Sequence, residues 1–137
     1  MNKLLCITVL AYAFACIFPL AAQQGCAPET ADWLAEGTFT SGIEGPATDK
    51  AGTVYAVNYG REGTIGYVKP DGSHGCWVEL PQGSTGNGIR FGADGQMYVA
   101  DYTGHSILRV CPRTKEISVF VHEPRMHQPN DLAMAPG

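Results

Sequence analysis

Three oxygen-bearing side chains recur along this chain at one interval: Glu44, Asn87 and Asn130 stand 43 residues apart, each heading a similar run. The runs are Glu44-Gly45-Pro46, Asn87-Gly88-Ile89 and Asn130-Asp131-Leu132, and the pairs Gly52/Gly95 and Tyr55/Tyr98 keep the same spacing of 43. Hard cations such as calcium and magnesium select carboxylate and amide oxygens over nitrogen and sulfur. A carboxylate and amide carbonyls brought to one point therefore suit such an ion, which would polarise a substrate carbonyl and lower the pKa of bound water. That chemistry requires the positions to converge.

The spacing supplies a way for them to do so. A period of roughly 40–45 residues with about four strands marks a β-propeller blade, a sheet that buries its faces only by stacking on its neighbours. First strands are expected at 46–49 and 88–91, and second strands at 53–58 and 96–101, where β-branched and aromatic residues alternate with smaller or polar ones. The turns between them are Lys50-Ala51-Gly52 and Ala93-Asp94-Gly95, the latter with the Asp-Gly pair that tight hairpins favour. Third strands follow at 64–69 and 106–111, and fourth strands at 76–80 and 116–121. The fold class is all-β, four-stranded antiparallel blades at 44–86 and 87–129 with the start of a third at 130–137. Only residues 29–35 read as a possible helical turn, and no helix is needed from there to Pro136. The repeats amount to a little over two blades of the 4–8 that close a ring, and Gly137 falls at the turn position of Asp94. The sequence is accordingly expected to be part of a longer propeller, with assembly of a ring from several copies as the alternative.

Residues 1–22 read as an export signal: Lys3, an apolar stretch from Leu4 to Phe18, then Pro19-Leu20-Ala21-Ala22 before polar Gln23-Gln24. The alternatives are an uncleaved anchor, or a lipid on Cys26, and every version exports the domain to a periplasmic or extracellular space with no stable span once the signal is cleaved. Residues 23–41 form a lead-in, and the propeller portion spans 42–137. The mature chain keeps Cys26, Cys76 and Cys111, for which one disulfide and one leftover thiol are expected in an oxidising compartment, with the pairing open. Cys76 and Cys111 also fit as small buried apolar residues of their strands. Nine Lys and Arg against thirteen Asp and Glu, a net charge of −4, leave no basic stripe, which excludes nucleic acid as the partner.

The set Glu44-Gly-Pro, Asn87-Gly-Ile-Arg-Phe, Asp94-Gly-Gln-Met-Tyr-Val-Ala-Asp101, His105-Ser-Ile-Leu-Arg109 and Pro129-Asn-Asp-Leu132 resembles the gluconolactonase, regucalcin (senescence marker protein) and luciferin-regenerating-enzyme family, from about Gly42 to the end. The resemblance implies a six-bladed propeller with one divalent cation in its channel, calcium first and magnesium, zinc or manganese otherwise, acting on a small-molecule lactone or sugar-acid ester. It implies that Glu44 and Asn130 are metal ligands and that Asp131 orients them from behind. Asn87, at the intervening position, is implied to line the pocket or to serve structure. The family's later asparagine and aspartate ligands have no counterpart in these residues, so this chain alone is not expected to turn substrate over. No residue is assigned as general base.

Other polar residues read as structural. Asn87 before Gly88 is the pattern of a turn residue that accepts backbone hydrogen bonds, and Asp101 at the end of a second strand suits the same use. His74, His105, His122 and His127 show no zinc-ligand spacing, and Ser41, Ser84 and Thr85 lie in no nucleophile elbow. Trp77 and Phe120 are expected to pack between blades, with Tyr55 and Tyr98 sharing one role at the sheet interface. Two rival functions stand beside the hydrolase: a non-catalytic binding or sensing propeller, and a non-functional gene fragment with open edges.

Overall fold

A computed structural model of the chain describes residues 30–135. The export signal at 1–22 and Cys26 lie outside these residues. Two four-stranded antiparallel sheets follow one another: β1 (Ala47–Thr48), β2 (Val54–Val57), β3 (Thr64–Val68) and β4 (His74–Glu79), then β5 (Gly86–Phe91), β6 (Met97–Asp101), β7 (Ser106–Val110) and β8 (Ile117–His122). In each sheet the strands pair in sequence order, the meander expected of a blade. Ala47 pairs with Tyr55 and Arg90 with Tyr98, so the 43-residue spacing survives as register.

The hairpins show why two unlike turn sequences give one shape. In both, the first turn residue donates to the residue four ahead, Asp49 to Thr53 O at 3.0 Å and Gly92 to Gln96 O at 2.9 Å. Gly52 (φ +84°) and Gly95 (φ +74°) supply the left-handed residue. An aspartate closes each turn from a different position. Asp49 accepts from the Ala51 and Thr53 N–H groups at 2.8 and 2.9 Å and from the Tyr55 hydroxyl at 3.2 Å; Asp94 accepts from Gln96 N at 3.1 Å and the Tyr98 hydroxyl at 2.9 Å. The shared role of the two tyrosines is thus to tie strand to turn.

The core runs between the sheets through Val57, Ile65, Ile89, Met97, Val99, Leu108 and Val110. Tyr55 joins the two sheets, edge-on to Trp77 of its own sheet at 5.1 Å and to Phe91 of the next at 5.6 Å. Phe120 repeats the Trp77 contact by meeting Tyr98 edge-on at 5.1 Å, but it is 59% exposed, and Val119 and Val121 beside it are exposed too. Asp101 is buried and accepts from Ser84 Oγ at 2.7 Å, Thr85 N at 3.2 Å and Gly104 N at 3.0 Å, which is a structural use.

Three expectations are corrected. Residues 30–35 form no helical turn; the chain bends and then reverses over Ala35–Thr38, where Thr38 donates from both N and Oγ1 to Ala35 O and Gly37 takes φ +80°. A single 3₁₀ turn does occur at Pro124–Met126, started by Pro124 and capped by the Glu123 carboxylate on Arg125 N at 3.0 Å. Cys76 is exposed and Cys111 half-buried, so neither packs as a core residue, and they are not bonded to each other.

Gly45 (φ +56°) carries the closest packing between the sheets. A side chain there would collide with the Asn87 carbonyl and stand 2.8 Å from Gly88 Cα. Gly45→Ala is therefore expected to lower stability by about 1–3 kcal/mol, read as a shift in urea midpoint. Burial, with Asp49 beside it, pushes the Tyr55 phenol up to about 12. The unfolded phenol ionises near 10, so its stabilising contribution is complete below about pH 10 and is lost as the pH rises to about 12. Urea midpoints should fall across that window, and less steeply in Tyr55→Phe.

Candidate functional site

The residues ahead of β1, at the start of β5 and after the 3₁₀ turn come together because their backbones stack. Gly88 N donates to Asn130 O at 2.8 Å, and a Cβ on Gly88 would collide with Asp131. Gly45 lies on the Asn87 carbonyl in the same way. Glu44 is tied to its own sheet by Val57 N donating to Glu44 O at 3.3 Å. The lead-in is held by a bridge from Phe39 to Tyr59, whose rings meet edge-on at 5.2 Å, and by Asn58 Nδ2 donating to Gly42 O at 2.7 Å.

The result is a cavity of about 290 Å³ walled by Glu44, Gly45, Asn87, Gly88, Arg90, Asn130 and Asp131, with Pro46 at its edge. All four residues singled out by spacing and motif reach this one cavity. Their surroundings differ. Glu44 and Asn130 are exposed, with their side chains in no hydrogen bond among the described residues. Asn87 is half-buried and its Oδ1 is fully buried with no hydrogen-bond partner, so it does not brace a turn. Asp131 is engaged: Oδ1 accepts from Leu132 N at 2.8 Å and Oδ2 from Arg90 Nη2 at 2.7 Å. Its neighbour Arg90 escaped the sequence reading. The signal was an arginine where the other two repeats have Ala47 and Ala133.

A cation in this cavity would have the free Glu44 carboxylate and the Asn130 amide on its wall, oxygen donors of low charge, with the Asn87 amide oxygen shut off from solvent. Among the described residues no three His, Cys, Asp or Glu side chains converge. Three of the four histidines have other partners: His74 Nδ1 the Tyr59 hydroxyl at 3.0 Å, His122 Nδ1 the Ser106 hydroxyl at 2.9 Å, and His105 Nδ1 the His127 carbonyl. A wider cavity of about 430 Å³ lies at the hairpin end between Thr48, Tyr55, Phe91 and Pro112. Its one carboxylate, Asp49, is committed to the turn.

No protein-family model matches the chain, and no curated protein matches it. Among solved structures it is similar to virginiamycin B lyase from Staphylococcus aureus, with 17% identity and a TM-score of 0.51 over 65% of this chain. The match covers 28% of that protein's chain, so this chain spans about a quarter of its length. At that identity the likeness shows the fold alone, which is of the β-propeller type.

An unpartnered buried amide oxygen costs about 1–3 kcal/mol. In chelator, Asn87→Ala should leave the urea midpoint unchanged or raise it, and whatever gain in midpoint a divalent cation gives the wild type, through occupancy of the folded state, should be smaller in the variant. A midpoint that falls in chelator with the calcium gain intact would make Asn87 a purely structural residue.

Proposed function

We propose that this cavity is part of the cation and substrate site of an exported lactone or ester hydrolase of the gluconolactonase, regucalcin and luciferin-regenerating-enzyme type. One observation carries the reading: Glu44, Asn87, Asn130 and Asp131, 43 residues apart or adjacent to such a position, wall one cavity. The buried, unpartnered Asn87 Oδ1 supports a cation as occupant, because an amide oxygen without a donor is suited to accept a hard ion. Calcium fits this donor set best, since it tolerates neutral carbonyl oxygens and irregular geometry. Magnesium, zinc or manganese are the other choices.

A divalent cation held there would supply Lewis-acid polarisation of the substrate carbonyl and a lowered pKa for bound water. The chain's own residues do the placing. Glu44 gives the charged donor, and Asn87 gives a carbonyl set by the backbone stack beneath it. Asp131, clamped by Leu132 N–H and Arg90, fixes the orientation of the Asn130 segment. Gly45 and Gly88, where a side chain would collide with the next backbone, hold these donor segments together. Further oxygen donors would come from later blades. Export rests on the pattern of residues 1–22, and no helix among the described residues is long and apolar enough to cross a membrane.

The test has two parts. Calcium titrated into this chain should perturb the amide resonances of Gly45, Asn87 and Gly88, and Glu44→Gln should weaken the binding about tenfold or more through loss of the charged donor. In the protein that carries the complete ring, glucono-lactone hydrolysis followed by acid release should stop on chelation and fall in Glu44→Gln. Hydrolysis that ignores both chelator and Glu44→Gln would remove the metal mechanism, and calcium binding without hydrolysis would favour a binding module.

A further inference from the structure

We propose that Arg90 is the anion-recognition residue of this cavity, so that the substrate carries a carboxylate besides its lactone or ester, as a uronic-acid lactone does. The inference rests on the hydrolase reading and names its substrate class.

Blade architecture does not require Arg90. The repeat puts Ala47 and Ala133 at its equivalent positions, and Ala47 makes the same pairing with Tyr55 that Arg90 makes with Tyr98. An alanine therefore satisfies the register. Arginine here adds a long cationic side chain to the cavity wall.

The guanidinium is fixed yet unsaturated. Nη1 donates to Ile89 O and Nη2 to Asp131 Oδ2, both at 2.7 Å, which uses two of its five N–H groups. The other three have no acceptor among the described residues, and the side chain is 38% exposed. A planar fork held by two anchors is suited to a second carboxylate, which it binds in a fixed orientation. Clamping Asp131 alone is a weak reason for the residue, since a half-exposed ion pair contributes only about 0–1 kcal/mol.

The charge balance points the same way. Glu44 and Asp131 against Arg90 give the cavity wall one net negative charge. A divalent cation reverses this to one net positive charge, a field that draws in an anion and gives a neutral sugar no comparable gain. Cation and guanidinium then offer two separate attachment points, one for the reacting carbonyl and one for the distant carboxylate. Remote binding of that kind fixes the orientation of the reacting group.

Glucuronate and glucose, which differ in a single carboxylate, are suitable probes for this chain in calcium. Titrations followed by amide and Arg90 Nε–H resonances should show a preference for glucuronate of about tenfold, the size of one charge-assisted contact. The Nε–H signal should move with glucuronate and stay with glucose. Arg90→Gln should erase the preference while calcium affinity holds or rises, because a neighbouring positive charge is gone. Should Arg90→Gln lose its dispersed spectrum, Asp131→Asn serves instead: it frees Arg90 of its ionic partner and should strengthen glucuronate binding. No preference in the wild type, a preference that survives Arg90→Gln, or weaker glucuronate binding in Asp131→Asn at saturating calcium would overturn the proposal. Failure to bind calcium at all would instead strike the hydrolase reading, and the calcium titration reports it separately.

Discussion

The contact on which this structure turns is backbone against backbone, where each blade begins. Gly45 rests on the Asn87 carbonyl, and Gly88 rests on Asn130–Asp131 while donating its N–H to Asn130 O. Neither approach leaves room for a side chain. This stacking converts a spacing along the chain into proximity in space: residues 43 apart become neighbours because the glycine after one is seated on the backbone of the next. The oxygen-bearing residues before those glycines then line one shared cavity. Widening the stack by the size of a methyl group would separate them, so the glycines control the site without touching a ligand.

Apolar packing fixes the other end of the sheets. Tyr55 does two jobs, its ring wedged between Trp77 and Phe91 and its hydroxyl on Asp49. A buried tyrosine whose hydroxyl reaches a turn carboxylate joins core to hairpin without leaving the phenol unpaired. Tyr98 uses the same device with Phe120 and Asp94, and the side chain of Met134, the repeat equivalent of Phe91, lies against Gly92 beside the Tyr98 ring. The tyrosine motif is therefore made twice, and its first use is the one that joins the two sheets. Its second use is less covered: Phe120 keeps 59% of its surface exposed.

Much of this was legible because the repeat carries its own phase. Once Gly52/Gly95 and Tyr55/Tyr98 were aligned, strands and turns followed, and even the displaced turn aspartate did not disturb them, since closure is set by the backbone and the glycine. Convergence of Glu44, Asn87, Asn130 and Asp131 was legible for the same reason. The misses share a cause: they depend on contacts outside the period. The reversal at Ala35–Thr38 is governed by Thr38 bonding back to Ala35 rather than by local helix preference. The exposure of Cys76 follows from its place on an outer strand, which composition does not report. Arg90 was overlooked because repeats draw attention to what recurs, whereas this residue is informative by breaking the pattern.

That break bears on how a repeated scaffold acquires an individual site. Stacked blades impose near-equivalent backbone at each repeat, so function must enter through positions the backbone leaves free. Residues 44, 87 and 130 are such positions, filled by Glu, Asn and Asn; residues 47, 90 and 133 are another set, filled by Ala, Arg and Ala. The first set varies charge while keeping an oxygen, and the second varies size and charge together. A buried amide oxygen without a donor at Asn87 is unfavourable for the fold by itself, and an arginine at 90 contributes little to it. Both are consistent with a scaffold that gives up some stability where it meets a ligand. The glycine stack makes that concession small, because it fixes the backbone regardless of what the neighbouring side chains do.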